Sequence, residues 1–325
     1  MIIESIILFA IGLVLLIKGG DWFVDGATGI AKRFHLPDIV VGATVVSIGT
    51  TLPEVMVSTT GALAGSGAMA YGNAIGSIIC NTALIAAISI TCNPGPVNVK
   101  SMKTPAIFFF LSAAIYCIAA YALGTFPRWM GFVMLSVFVV YMIMTVRNGL
   151  KNPDAAGEEE EEGGKPKKLW QELVLLVIGA AVIAIGADLL VDHGQIIALW
   201  LGVPETVVAL LFVALGTSLP ELVTTITSLR KGRASLGVGN VIGANVFNLV
   251  LVSGVAVSLA PFDVPVENTL LDTGLNLSLV FDIPVMLLVM SLMIFPAMMK
   301  KKLGRWQGLL LLGIYAAFCV CQFVL

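Results

Sequence analysis

Two short stretches hold most of the chemistry in this sequence: Gly49-Thr50-Thr51-Leu52-Pro53-Glu54 and, 167 residues later, Gly216-Thr217-Ser218-Leu219-Pro220-Glu221. Each ends in a glutamate about fifteen residues inside an apolar run long enough to cross a bilayer. A carboxylate at that depth is costly, by roughly 3 kcal/mol on insertion scales, and marks a cavity where it meets a proton, a base or a cation. Apart from Lys18, no lysine or arginine lies at similar depth in the neighbouring runs. A cation is therefore the expected partner of Glu54 and Glu221. The prolines sharpen this. Pro53 and Pro220 have no N–H to give to the carbonyls of Gly49 and Gly216, and those glycines weaken the helix further. Carbonyls around Ser47–Gly49 and Ala214–Gly216 are then free to turn toward an ion, beside the hydroxyls of Thr50, Thr51, Thr217 and Ser218.

A second matched pair follows. Gly72-Asn73-Ala74-Ile75-Gly76 and Gly239-Asn240-Val241-Ile242-Gly243 have the small-residue spacing that lets helices approach closely. One turn on come Ser77 and Asn81, matched by Ala244 and Asn248. Residues four apart share a helix face, which groups Asn73, Ser77 and Asn81. Every candidate ligand is a hard oxygen, suited to Na⁺, Ca²⁺ or Mg²⁺ and not to copper or zinc. Two carboxylates balance one divalent ion, and they disfavour anions.

The elements that must position these groups are membrane helices. The 325 residues are 58% hydrophobic and only 12% charged, which excludes a soluble enzyme, a nucleic-acid binder and a disulfide-stapled secreted domain. Hydropathy gives ten spans, roughly 3–33, 39–64, 70–91, 104–123, 129–147, 169–200, 206–229, 235–260, 281–299 and 306–325. The runs are continuously apolar, so a barrel is excluded. Glu4 precedes the first run without a basic stretch, which reads as a retained span and not a cleaved signal peptide. Sixteen of the eighteen Lys and Arg fall on one side when the spans alternate, Arg128 and Lys18 being the exceptions. This places the N-terminus outside and residues 151–168 in the cytoplasm of a multi-pass cell-membrane protein. That segment, KNPDAAGEEEEEGGKPKK, reads as a solvated linker; five adjacent carboxylates do not make the six-to-eight-oxygen cage of a calcium sensor. The five cysteines show no CxxC pair and read as small buried hydrophobes.

Shifted by 167 residues, Gly19–Thr82 superposes on Gly186–Leu249 without a gap, with 22 of 64 positions identical. The expected fold is thus all-α: ten helices in two five-helix repeats, 1–150 and 169–325, with broken second and seventh spans at the core. An odd number of spans per repeat inverts the second half, and the loop matching Lys32 and Arg33 has no base, as inversion requires. Inverted repeats with broken helices at the midplane are the pattern of secondary transporters. An intramembrane protease would want paired aspartates in a GxGD-like context or HExxH, and neither occurs; His35 and His193 lie near span ends. A passive channel would explain the acids but not the inverted halves.

At these motifs the chain resembles the sodium/calcium exchangers of the cation/calcium antiporter superfamily, in their short prokaryotic form. The pair GTTLPE with GNAIGSIICN and GTSLPE with GNVIGANVFN is that family's repeat signature. The resemblance implies antiport of Ca²⁺ against Na⁺ by alternating access, with a proton-coupled or other-cation antiporter of the same fold as the alternative. It implies Ca²⁺ ligands at Glu54 and Glu221 and at the Thr50 and Thr217 carbonyls. Na⁺ ligands would be Ser47 and Ala214 (through carbonyls), Thr51, Ser218, Ser77, Asn81 and Asn248, with both glutamates shared. The bilayer and the two ions are the expected partners; no enzyme activity, cofactor, nucleic acid or obligate protein partner is implied. Two positions depart from the pattern: Ala244 stands where a serine is expected, and Asn248 where some members have aspartate.

Overall fold

The computed structural model describes residues 2–151, 168–202, 216–265 and 276–324. Nearly all of them are helical. The elements are α1 (Ile2–Arg33), α2 (Asp38–Thr50), α3 (Leu52–Leu63), α4 (Gly67–Cys92), α5 (Val99–Leu123), α6 (Arg128–Leu150), α7 (Leu169–Trp200), α8 (Leu219–Arg230), α9 (Ala234–Leu259), α10 (Ser278–Lys300) and α11 (Arg305–Val324). Among the described residues seven helices are long and apolar enough to cross a membrane, or eight if the bent pair α2–α3 counts as one. Nine of the ten hydropathic runs predict these helices closely; of the run 206–229, residues 206–215 lie outside the described residues. Their ends follow ordinary rules. Lys32 and Arg33 close the last turn of α1, favoured by the helix dipole. Asn98 caps α5 by accepting from the Lys100 and Ser101 amides.

The 167-residue repeat is visible in the boundaries themselves. The limits of α1, α3 and α4 recur, displaced by 167, in α7, α8 and α9. Among the described residues four two-residue strands join the halves: β1 (Gly95–Pro96) pairs antiparallel with β4 (Lys302–Leu303), and β2 (Thr125–Phe126) with β3 (Phe262–Asp263). By the repeat β3 is the counterpart of β1, so each strand of one half pairs with the non-equivalent strand of the other.

α4 and α9 form the core, with 72% and 83% of their most apolar windows buried, against 22% for α1 and α7. The centre therefore belongs to the helices bearing the asparagines. α9 crosses α2 so closely that a Cβ on Gly239 would collide with the Ile39 carbonyl oxygen, and one on Gly42 with that of Leu236. This is the close approach the glycine spacing predicts. A Cβ on Gly72 or Gly76 meets nothing among the described residues, and residues 206–214, which the repeat matches to 39–47, lie outside them. On the rim, α1 lies along α7. Arg33 pairs with Glu172 at 2.9 Å, and Lys231, just past α8, with Asp25 at 2.6 Å.

Candidate ion-binding site

The break in span two falls at Thr51, where α2 and α3 meet at 46°. Thr51 takes the bridge conformation (φ −86, ψ −1), and its counterpart Ser218, before α8, does the same (φ −90, ψ 3). Proline in the first turn suits both α3 and α8, because an N–H there would have no helical acceptor. Glu54 and Glu221 thus stand in the first turn of half-helices, and Pro53 has no N–H to give to the Gly49 carbonyl. Ser47 differs from expectation: its carbonyl still accepts from the Thr51 amide at 3.0 Å. The matching carbonyl of Ala214 falls outside the described residues.

Glu54, Glu221, Ser47, Thr50, Thr51, Ser77, Asn81, Ser218 and Asn248 are all buried, and Thr217 is half-buried. Thr51, at the break before Glu54, donates from Oγ1 to Glu221 Oε1 at 3.5 Å. Helix turns widened to π geometry begin at Asn81 and at Asn248; such turns are frequent at functional sites. The turn at Asn81 packs on α8 and that at Asn248 on α3, so each asparagine is carried to the glutamate helix of the opposite half.

Lys18 lies on the exposed face of α1, and no ion pair among the described residues involves Glu54 or Glu221. Both Glu54 oxygens, Glu221 Oε2, Ser218 Oγ and the whole amides of Asn81 and Asn248 are buried with no hydrogen-bond partner. Leaving such groups unpaired costs about 1–3 kcal/mol each, more for a charge. A cation with hard-oxygen preferences would offset that cost at once. Ala244 is buried where Ser77 stands in the other half, and offers no oxygen.

The structure shows what Asn73 and Asn240, a turn before Ser77 and Ala244, bond to. Thr50 Oγ1 donates to Asn240 Oδ1 at 3.2 Å and Thr217 Oγ1 to Asn73 Oδ1 at 3.3 Å. These two bonds are repeat-related and both cross between halves. Ser47 Oγ also reaches Asn240 Oδ1, at 3.2 Å, and Asn73 Nδ2 donates to Ser58 Oγ at 2.8 Å. The spacing of Asn73 from Ser77 was the available signal. Asn245 gave none: it donates to Thr82 Oγ1 at 2.7 Å, but the matching residues Ile78 and Leu249 are apolar. Of the five cysteines read as buried only Cys80 is so, beside Ser218; Cys92 is exposed at the end of α4, and Cys117, Cys319 and Cys321 are half-buried.

Residues 4–147 and 172–324 match the family described as sodium/calcium exchanger protein. An uncharacterized membrane protein of Methanocaldococcus jannaschii, MJ0091, is 34% identical, with 97% of each chain covered. The sodium/calcium exchanger MaX1 of Methanosarcina acetivorans is 29% identical over 99% of each. A solved structure of the sodium-calcium exchanger NCX_Mj, soaked with Na⁺ and Sr²⁺, covers 98% of both chains at a TM-score of 0.77 and 32% identity. Matched over both halves and along nearly its full length, this chain is a multi-pass membrane protein that belongs to the sodium/calcium exchanger family.

Proposed function

We propose that the protein is a secondary antiporter that exchanges Ca²⁺ for Na⁺ by alternating access at the two glutamates. The observation that carries this reading is the pair of buried carboxylates at matched helix breaks, linked by the Thr51 hydroxyl on Glu221, with no ion pair to either among the described residues. Glu54 and Glu221, with the carbonyls of Thr50 and Thr217, hold Ca²⁺. Na⁺ binds with Thr51, Ser218, Ser77, Asn81, Asn248 and the carbonyls of Ser47 and Ala214, and shares the glutamates, so occupancy by the two ions is mutually exclusive. The ten spans form two inverted halves, 1–150 and 169–325, in the cell membrane, with the N-terminus outside and residues 151–168 cytoplasmic. The strand pairing supports inversion. β1 and β4 both follow odd-numbered spans and β2 and β3 both follow even ones, so each pair gathers at one membrane face, as a two-fold axis in the membrane plane requires.

Counterflow in vesicles of purified protein tests the reading. A trans Na⁺ gradient is expected to accelerate ⁴⁵Ca²⁺ uptake. Uptake driven by a proton gradient and indifferent to Na⁺ replaces the sodium assignment with H⁺/Ca²⁺ antiport, and uptake indifferent to any trans ion defeats antiport.

Ala244→Ser restores the hydroxyl that Ser77 provides in the other half. Its expected effect is a higher apparent Na⁺ affinity, by a few-fold, with little change for Ca²⁺, which the carboxylates hold. Na⁺ inhibition of Ca²⁺ uptake at fixed Ca²⁺ measures this, and an unchanged Na⁺ curve removes position 244 from the site. The linker is expected to be dispensable. Replacing Gly157–Gly164, outside the described residues, by a few Gly and Ser should leave transport within about two-fold, because loop closure depends only weakly on length. Lost activation by Ca²⁺ on the linker side would instead reveal a sensor there.

A further inference from the structure

The hydrogen bonds of Asn73 and Asn240 match where they cross between halves and differ where they stay within one. Both asparagines accept from the opposite threonine, Thr217 and Thr50 respectively. Within the first half Asn73 Nδ2 also donates to Ser58 Oγ at 2.8 Å and to the Glu54 carbonyl at 3.4 Å. The repeat puts Thr225 in the place of Ser58. There the bond is not made: Asn240 Nδ2 and Thr225 Oγ1 are both buried and both without a partner. Ser58 and Thr225 each follow their glutamate by four residues, on the same face of α3 and α8.

An unpaired buried donor facing the element that carries an unpaired buried acceptor is costly to hold, unless another conformation joins them. α8 has other unpaired hydroxyls, Thr224 and Ser228, but their counterparts are Val57 and Gly61, which have nothing to pair. Thr225 alone among these three answers to a hydroxyl that is bonded in the other half.

We propose that Ser58 and Thr225 are positioning residues that bond Asn73 and Asn240 alternately, one in each of the two oppositely open states. The inference rests on the alternating-access reading given above. In a transporter of two inverted halves, exchanging the conformations of the halves approximates the opposite state. A contact made in one half and open in the other is then one that changes hands. Asn73 ties α3 to α4 through Ser58 while its oxygen holds Thr217, so making or breaking the bond to Ser58 tilts the glutamate helix without releasing the opposite break. Asn240 does the same for α8 through Thr225.

Apparent Ca²⁺ affinity on each membrane face equals the intrinsic affinity scaled by the fraction of protein open to that face. The ratio of the two therefore reports the equilibrium between states. Measured with purified protein in right-side-out and inside-out vesicles, Ser58→Ala and Thr225→Val are expected to move this ratio in opposite directions. Loss of one hydrogen bond corresponds to a shift of about 3- to 10-fold. The double variant returns the ratio toward wild type, and Ser58→Thr and Thr225→Ser, which keep the hydroxyl, leave it in place. A purely structural role would change both faces alike. Shifts in the same direction, or an unchanged ratio in variants of a protein that exchanges Ca²⁺ normally, overturn the proposal. A wild-type protein that fails to exchange defeats the antiport reading itself, and this proposal with it.

Discussion

Glu54→Gln and Glu221→Gln are each expected to lower Ca²⁺ exchange by at least about 100-fold while leaving the protein folded. Glutamine keeps the shape of the side chain and removes one negative charge. Two unit charges 4 Å apart attract by about 4 kcal/mol at an effective dielectric of 20, and a divalent ion at ligand distance feels more. Since about 1.4 kcal/mol is tenfold in affinity, the loss exceeds two decades unless another group replaces the charge. Among the described residues no third His, Cys, Asp or Glu joins the two glutamates in a cluster. The measurement is ⁴⁵Ca²⁺ uptake over a wide Ca²⁺ range, with thermal unfolding in detergent to show that the variants fold. Near-normal exchange at saturating Ca²⁺ in either variant would sink the two-glutamate site. Folding is expected to persist because both Glu54 oxygens and Glu221 Oε2 have no hydrogen-bond partner to lose.

A second large effect is expected from packing. Gly239→Val should abolish both folding and transport. A β-carbon at this position would collide with the Ile39 carbonyl, and backbone cannot move aside as a side-chain tip can. Overpacking a well-filled core costs about 1–3 kcal/mol when side chains give way, and here they cannot. The collision also lies in the crossing that places Asn240 beside Thr50 and Ser47. Gly313→Ala is the control, because Gly313 is exposed on α11 with open space around it. Monodispersity and melting temperature in detergent are the readout. A Gly239→Val protein that melts like wild type would mean α9 and α2 do not cross so closely in solution.

Much of this was legible in the sequence because the bilayer imposes one rule on every span. A run such as 169–200 must be helical to satisfy its own backbone, and the structure gives Leu169–Trp200. The repeat then singled out Glu54 and Glu221, since two costly carboxylates at one offset need a common purpose. The lateral detail was not legible. That Thr50 would bond Asn240, 190 residues away, follows only from how the helices cross. The wide turns at Asn81 and Asn248 left no mark in an unbroken apolar run. Proline chemistry did not reach the Ser47 carbonyl, because Thr51 has an N–H of its own to return to it. Asn245 was invisible for a different reason: reasoning from a repeat finds only what occurs twice.

The crosswise strand pairing has a bearing on how the chain is made. β1 meets β4, and β2 meets β3, so each pair waits for a strand synthesised well over a hundred residues later. At about 5–20 residues per second, the first five helices spend roughly ten seconds to half a minute in the bilayer before their partners emerge. During that interval Glu54 and Asn81 lack the helices that enclose them, and the face of α1 that will meet α7 is bare. The nascent first half therefore holds its buried polar groups and one face of α1 uncovered until the second half is made.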